Sequence, residues 1–480
     1  MSLKRNVVYS SILTTSLYIF QFLTYPYVAR VLGVVNIGIC NFVQSLVQYF
    51  ALFAILGTVT VGAREIAKCN SDKERQNQVF SSIVILNVLL TVLVLVCYIG
   101  ATCFIPQFFK YKKLLYIGVF QLLSTPFTVE WLYRGLEDFK YITYRNLLVR
   151  AIYVLLIFAL VRDRDDYYIY FALTVGLYVI NAAINIFYCR HFVSFCWQPI
   201  VECCRKYIKP ISFLGVQNIL ITMYTSFNVV FLGFFAGDKQ VGYYTTATKI
   251  HGMILALFSA FTLVMMPRIS SLVSMKKNEQ VKYLLRQSIS ILFAFSFPMV
   301  IVVVALAPYI IQLIVGAEFV ESVNLLRLSI PLIIVVGIEQ ILITQLLIPL
   351  GEDKSSSKSY IAGGIIGLIS NVLLVPHWSS VGAIVVWALS EFTVMSFALF
   401  YVEQRLKLTR IICCSFFRYL LSFAPLAILV YCLASSPLCV IMLSIIYSHI
   451  CLFYVIRNDI YVNTMKQMLC KISRSCLNDK

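Results

Sequence analysis

Apolar runs of about twenty residues recur from one end of this chain to the other, and they limit what it can fold into. A helix rises about 1.5 Å per residue, so each run can cross a hydrocarbon layer roughly 30 Å thick. Strands of an outer-membrane barrel would alternate apolar and polar residues over roughly ten positions, a pattern this chain does not follow. Of 480 residues, 60% are hydrophobic and 12% charged. Soluble domains average about 45–50% and about 25%. A water-soluble fold and a disordered chain are both excluded. The expected fold class is all-α, a polytopic membrane protein.

Fourteen spans are read from the runs: 7–29, 39–62, 79–102, 114–132, 147–161, 167–189, 211–235, 243–267, 287–314, 323–349, 359–377, 381–402, 413–433 and 438–456. Lys4 and Arg5 ahead of the first resemble a signal peptide, but no A-x-A cleavage site follows, so the run reads as a retained helix. The net charge of +18 is explained by placement. With the N-terminus in the cytoplasm, alternate segments hold 30 Lys and Arg inside, Arg150 and Arg418 at the inner span edges among them, and 7 outside, leaving Lys249 and Arg327 deeper within spans. That bias is the positive-inside rule. Both termini are expected in the cytoplasm, and nucleic acid is not an expected partner. No loop is long enough for a soluble catalytic domain. The four histidines are scattered and no CxxC pair occurs, so neither a metal site nor another cofactor is expected.

Leu32-Gly33 with Gly38 is echoed by Leu232-Gly233 with Gly242, six spans later. An even separation preserves orientation and implies two parallel six-helix lobes. The expected domains are residues 1–209, residues 210–410, and an addition at 411–480 holding two further helices and a tail.

Four spans carry polar residues at steps of three and four, which keeps each set on one helix face. They are Ser10, Thr14, Tyr18, Gln21 and Tyr25; Asn41, Gln44, Ser45 and Gln48; Gln217, Tyr224 and Asn228; and Thr245, Lys249, Gly252 and Ser259. Such groups either join helices by hydrogen bonds or line a hydrated cavity. Their recurrence at the first two helices of each lobe reads as a cavity. Lys249 stands about 9 Å into its span at 1.5 Å per residue. Arg30 caps the end of span 1 and Arg64 follows span 2. Arg327, near a span end, reads as a snorkelling residue. Glu339 and Glu391 lie near mid-depth and are either proton or cation sites or a structural pair. Glu130 and Arg134 have the spacing of an i,i+4 ion pair.

Several strings carry a resemblance. Pro26-Tyr27-Val28-Ala29-Arg30-Val31-Leu32-Gly33, Gly62-Ala63-Arg64-Glu65-Ile66-Ala67, Trp131-Leu132-Tyr133-Arg134-Gly135-Leu136-Glu137, and Val241-Gly242-Tyr243-Tyr244 with Lys249-Ile250 and Pro267-Arg268 stand in order along the chain. Together they resemble the segments of polysaccharide-biosynthesis flippases, the O-antigen exporters of the Wzx type. The family commonly has an Asp before the Leu-Gly of helix 7, where this chain has Asn228. The resemblance implies a superfamily shared with multidrug (MATE) exporters and lipid II flippases. It implies two six-helix lobes around a cavity, and no enzyme. The implied activity moves an undecaprenyl-diphosphate-linked oligosaccharide, an O-antigen or capsule unit, to the periplasmic leaflet of the bacterial inner membrane. Other polysaccharide assembly proteins would be partners. Proton or sodium coupling would fall to Glu339 and Glu391.

Hydrated sugars and a diphosphate need amides, hydroxyls and cations along the path. Lys249, Arg30, Arg64, Asn41, Gln44, Gln48, Tyr18, Gln21, Tyr224 and Asn228 are the expected substrate-binding set. The alternative is a MATE-like drug or cation antiporter. That reading calls for carboxylates on spans 1, 2, 7 and 8, and those spans have none. A membrane polymerase or ligase would need a large outer loop with Arg or His, which is also missing.

Overall fold

A computed structural model describes residues 3–69, 72–196, 207–209, 211–212, 215, 219, 222, 227–433 and 436–458. Among them regular structure is wholly helical, with no strand, as the all-α expectation requires. Among the described residues, nine helices are long and apolar enough to cross a membrane. A bent pair, Ser322–Ser329 with Leu332–Leu347, makes a tenth, its halves inclined by 42°.

In chain order the helices are α1 (Leu3–Ile55), α2 (Thr58–Lys68), α3 (Lys73–Phe104), α4 (Lys112–Ser124), α5 (Glu130–Gly135), α6 (Phe139–Leu160) and α7 (Tyr167–Cys189). There follow α8 (Phe227–Ala236), α9 (Asp238–Ser274), α10 (Asn278–Ile314), α11 (Ser322–Ser329) and α12 (Leu332–Gln340), the last continued by a π-helical turn, Ile341–Leu347. The series ends with α13 (Asp353–Leu406), α14 (Thr409–Cys432) and α15 (Pro437–Ile450).

Two helices conceal four spans. α1 has 53 residues and α13 has 54. Unbroken, each would be about 80 Å long, more than twice the hydrocarbon thickness. Each breaks at one residue: Gly33 has φ 74° and ψ 172°, and Ser379 has φ 47° and ψ −128°. Glycine adopts such a backbone freely, whereas serine does so under strain. The halves correspond to expected spans 1 and 2, and 11 and 12. With α3, α4 plus α5, α6, α7, α8, α9, α10, α11 plus α12, α14 and α15, the about fourteen expected transmembrane helices are accounted for.

The fifth span needs correction. The apolar run starts it at residue 147, which leaves Arg145 in the preceding loop and Arg150 at the span's edge, counted with the inner segment. The helix begins at Phe139 instead, capped by the Asp138 carboxylate accepting from the Tyr141 amide at 3.2 Å. It runs for 22 residues and carries both arginines inside. Another carboxylate cap, Asp72 accepting from the Arg75 amide at 3.1 Å, starts α3.

The chain divides into two compact units. The first comprises residues 1–246, 315–319 and 363–390. At one end of it, strings named in the resemblance pack on each other. A Cβ on Gly62 would come within 2.6 Å of the Trp131 ring, and one on Gly135 within 2.8 Å of the Ala63 carbonyl oxygen. Trp131, Leu132, Tyr133, Ile66, Phe80 and Ile83 are buried there together.

The second unit comprises residues 247–314, 320–362 and 391–480. Its core is apolar and aromatic, with Leu285, Ile289, Phe293 and Phe297 of α10 packed with Tyr419, Phe423 and Leu426 of α14. Tyr419 accepts from the Asn458 amide at 2.8 Å and lies 2.9 Å from the Ser290 hydroxyl. The helices expected as a C-terminal addition are thus an integral part of this core.

Candidate functional site

In the first unit, three of the four residues of the stripe on the second half of α1 make cross-helix hydrogen bonds. Asn41 donates to the Thr245 hydroxyl at 2.9 Å, Gln44 to the Gln121 carbonyl oxygen at 3.3 Å, and Gln48 to the Tyr178 hydroxyl at 3.4 Å. Asn41 and Gln44 are half-buried, and Gln48 is exposed. The Gln44 carbonyl oxygen is buried with no partner among the described residues. On the first half of α1, Tyr25 is buried with its hydroxyl 2.6 Å from that of Thr246, and Gln21 is half-buried. The side chains of Tyr18 and Tyr224 lie outside the described residues.

Asn228 is 1% exposed. Its amide nitrogen donates to the Tyr244 hydroxyl at 3.2 Å and the Ala383 carbonyl at 3.3 Å, and its oxygen accepts from Asn371 at 2.7 Å. Here the amide joins three helices, α8, α9 and α13. Arg30 is exposed at the end of the first half of α1. Arg64 is exposed at the end of α2, 3.5 Å from Glu65, which also pairs with Lys68 at 3.0 Å.

Lys249, in the second unit, is half-buried on α9. Because α9 starts at Asp238, Lys249 stands about 16 Å along it rather than about 9 Å. Glu339 and Glu391 are 5% and 4% exposed. Their carboxyl groups are hydrogen-bonded to each other, and the Tyr360 hydroxyl donates to Glu339. Two expected mid-depth carboxyls are thereby one group. Nearby polar pairs on the same unit are Gln340 donating to Ser259 at 3.0 Å and Gln345 to Thr262 at 3.2 Å. Arg327 is exposed and donates to the Val304 carbonyl at 3.0 Å.

The sequence reading missed three features. The first is Arg145, whose guanidinium pairs with Glu130 at 3.0 Å, bonds the Asn185 amide oxygen and faces the Tyr141 ring. Glu130 keeps the expected pair with Arg134 at 3.4 Å. The second is a polar face on α7, Tyr170, Thr174, Tyr178 and Asn181, with the same steps of four, four and three as the stripes that were recognised. The third is Arg150, the twelfth of the 22 residues of α6, beside Tyr153 and Tyr178. A count of helical steps on span 6 would have found the second. The other two were hidden because Arg145 fell in the loop before the expected span and Arg150, at its edge, was counted with the inner segment.

Where charges assign the outside, the first unit is tied by ion pairs between distant segments. Lys110 and Tyr111 both reach the Asp238 carboxylate, Tyr111 at 2.6 Å. Arg164 pairs with Glu318, and its carbonyl accepts from Asn36 at 2.8 Å.

Comparison with known proteins extends this description. Residues 214–373 match the MatE family. A protein of Escherichia coli (strain K12) that carries the name O-antigen transporter is 24% identical over 406 residues, covering 84% of this chain and 97% of its own. One of that name from Shigella dysenteriae is 25% identical over 417 residues, covering 83% and 99%. Among solved structures, the lipid II flippase MurJ in an inward closed conformation superposes with a TM-score of 0.75 at 13% identity, covering 95% of this chain and 98% of that one. Residues 3–273, more than half the chain, match the family described as polysaccharide biosynthesis protein, and the chain belongs to that family.

Proposed function

We propose that the protein moves a lipid-linked oligosaccharide across the bacterial inner membrane. The carrier is undecaprenyl diphosphate, the cargo an O-antigen or capsule repeat unit, and the direction cytoplasmic to periplasmic leaflet by alternating access. The observation that carries this reading is the chemistry of the membrane-crossing helices of the first unit. α1, α4, α6 and α7 present amides, hydroxyls and cations, yet hold no Asp or Glu. Such a surface substitutes for the water around sugars and a diphosphate. It does not suit a cationic drug. The names and coverage of the two enterobacterial relatives support the same reading.

In this proposal residues 1–209 and 210–410 form the two lobes and both termini are cytoplasmic. Lys249, with Arg30 and Arg64, attracts the diphosphate, while Asn41, Gln44, Gln48, Tyr18, Gln21, Tyr224 and Asn228 serve the sugars or hold the helices that do. Glu339 and Glu391 couple transport to an ion gradient. A carboxyl–carboxyl hydrogen bond requires a proton on one partner, which supports a proton over sodium. The test is reconstitution in liposomes holding a fluorescent undecaprenyl-diphosphate oligosaccharide. Carrier-dependent movement between leaflets, missing for the bare sugar and for a cationic dye, is the expected result. Movement of the dye alone would establish the antiporter instead.

A further inference from the structure

Arg150 lies about 16 Å from either end of α6 at 1.5 Å per residue, at the middle of a membrane-crossing helix. It is half-buried beside the hydroxyls of Tyr153 and Tyr178. Tyr153 lies 3.2 Å from the Thr174 hydroxyl, and Tyr178 accepts from Gln48. Three helices thus converge on one polar seam: α1 through Gln48, α6 through Arg150 and Tyr153, α7 through Thr174 and Tyr178.

Among the described residues the seam has no counter-charge. No Asp or Glu stands on α1, α4, α6 or α7, and α3 has only Glu74, in its first turn. Near the start of α6, the Asp138 carboxylate caps the helix, and Glu130 is held by Arg134 and Arg145. A membrane-embedded arginine normally pairs with an acid or faces water. Gln48 and Tyr178, exposed along the same seam, would be poorly placed against hydrocarbon and show that the seam opens to a polar space.

We propose that this seam is an anion site, separate from Lys249, in which Arg150 receives the diphosphate of the lipid carrier part-way across the membrane. The proposal rests on the flippase reading. The guanidinium is a planar fork that bonds two phosphate oxygens at once, which an ammonium cannot do. Tyr178 and Gln48 add neutral donors, so the group is held by one full charge and can leave again. A structural arginine would be satisfied by the tyrosines alone and would give no selectivity for phosphates.

The test uses the full chain in nanodiscs, with farnesyl diphosphate, farnesyl monophosphate and farnesol as probes, read by equilibrium binding. The native chain should bind the diphosphate at least about tenfold more tightly than the alcohol. Arg150→Gln should lose most of that difference and leave the alcohol unchanged, and Arg150→Lys should retain part of it. Full diphosphate preference in both variants would overturn the Arg150 site and leave the flippase reading standing. No preference in the native chain would overturn both. If Arg150→Gln does not fold, Arg150→Lys and Tyr178→Phe carry the test, and native preference in both would overturn the proposal.

Discussion

Gly38 of α1 and Gly242 of α9 meet backbone to backbone: a Cβ added to Gly38 would stand 3.0 Å from the Gly242 amide nitrogen. A Cβ on Gly242 would in turn run into the Val34 backbone. The obstacle on both sides is main chain, which cannot rotate away. Gly38→Ala and Gly242→Ala should therefore each lower stability by about 1–3 kcal/mol, the usual range for overpacking. Gly100→Ala, where nothing lies within 4 Å, is the control. Thermal unfolding in detergent separates them, and equal melting temperatures for all three would refute the close approach.

Lys249 gives a prediction about charge. Lys249→Arg should keep substantial surface glycan, while Lys249→Ala and Lys249→Glu should lose it at normal protein levels. The rival account makes Lys249 a structural partner of Glu391. Recovery of export in the double swap Lys249→Glu with Glu391→Lys would favour the rival.

For the carboxyl pair, Glu339→Gln and Glu391→Gln each keep a hydrogen-bonding side chain but remove an ionisable group. Each should weaken the dependence of transport on the ion gradient while the protein still folds. Unchanged gradient dependence in both variants would remove the pair from coupling.

Arg145 offers a stability prediction. Breaking a buried ion pair from one side costs about 3–5 kcal/mol when both partners are dry. Glu130 is 31% exposed and keeps Arg134, so Arg145→Ala should cost about 2–3 kcal/mol. Denaturation of the purified chain measures it, and an unchanged midpoint would show that Asn185 and Tyr141 are satisfied without the guanidinium.

In the turn before α7, the Asp166 carboxylate accepts from the backbone amides of Arg162 and Asp163, both at 2.8 Å. These bonds, the Asp163 amide first, hold its pKa below the usual aspartate range. A depressed carboxylate favours the folded turn above its unfolded pKa, near 4, and loses that contribution as pH falls through the lower folded value. Protection of the Arg162 and Asp163 amides, relative to their intrinsic exchange rates, should fall below about pH 4, and Asp166→Asn should show reduced protection at neutral pH as well.

The helices were legible because uninterrupted apolar runs have one stable form in hydrocarbon. The charged interior was less so. Arg145 and Arg150 lower the hydropathy of α6, and only tertiary partners from α5 and α7 reveal that a membrane helix can hold them. The stripe on α1 was read correctly as a polar face, and its partners Gln121, Tyr178 and Thr245 could not be named, since they come from segments distant in sequence. Glu339 and Glu391, 52 positions apart, were seen as two depths and turn out to be one hydrogen-bonded group. Asn228 marked a departure from the family pattern, and the amide network with Asn371 explains how α8 keeps a polar junction without an ionised side chain.

The breaks at Gly33 and Ser379 bear on how the protein meets its surroundings. A junction at which a single residue leaves the helical conformation exposes almost no extended backbone, and a protease needs several extended residues to cleave. The face of the membrane bearing these two turns therefore offers little to proteases, antibodies or phage at those points. An epitope tag inserted there would have to push apart the helix ends it joins, whereas the Ser274–Asn278 connection between α9 and α10 could carry one at small structural cost.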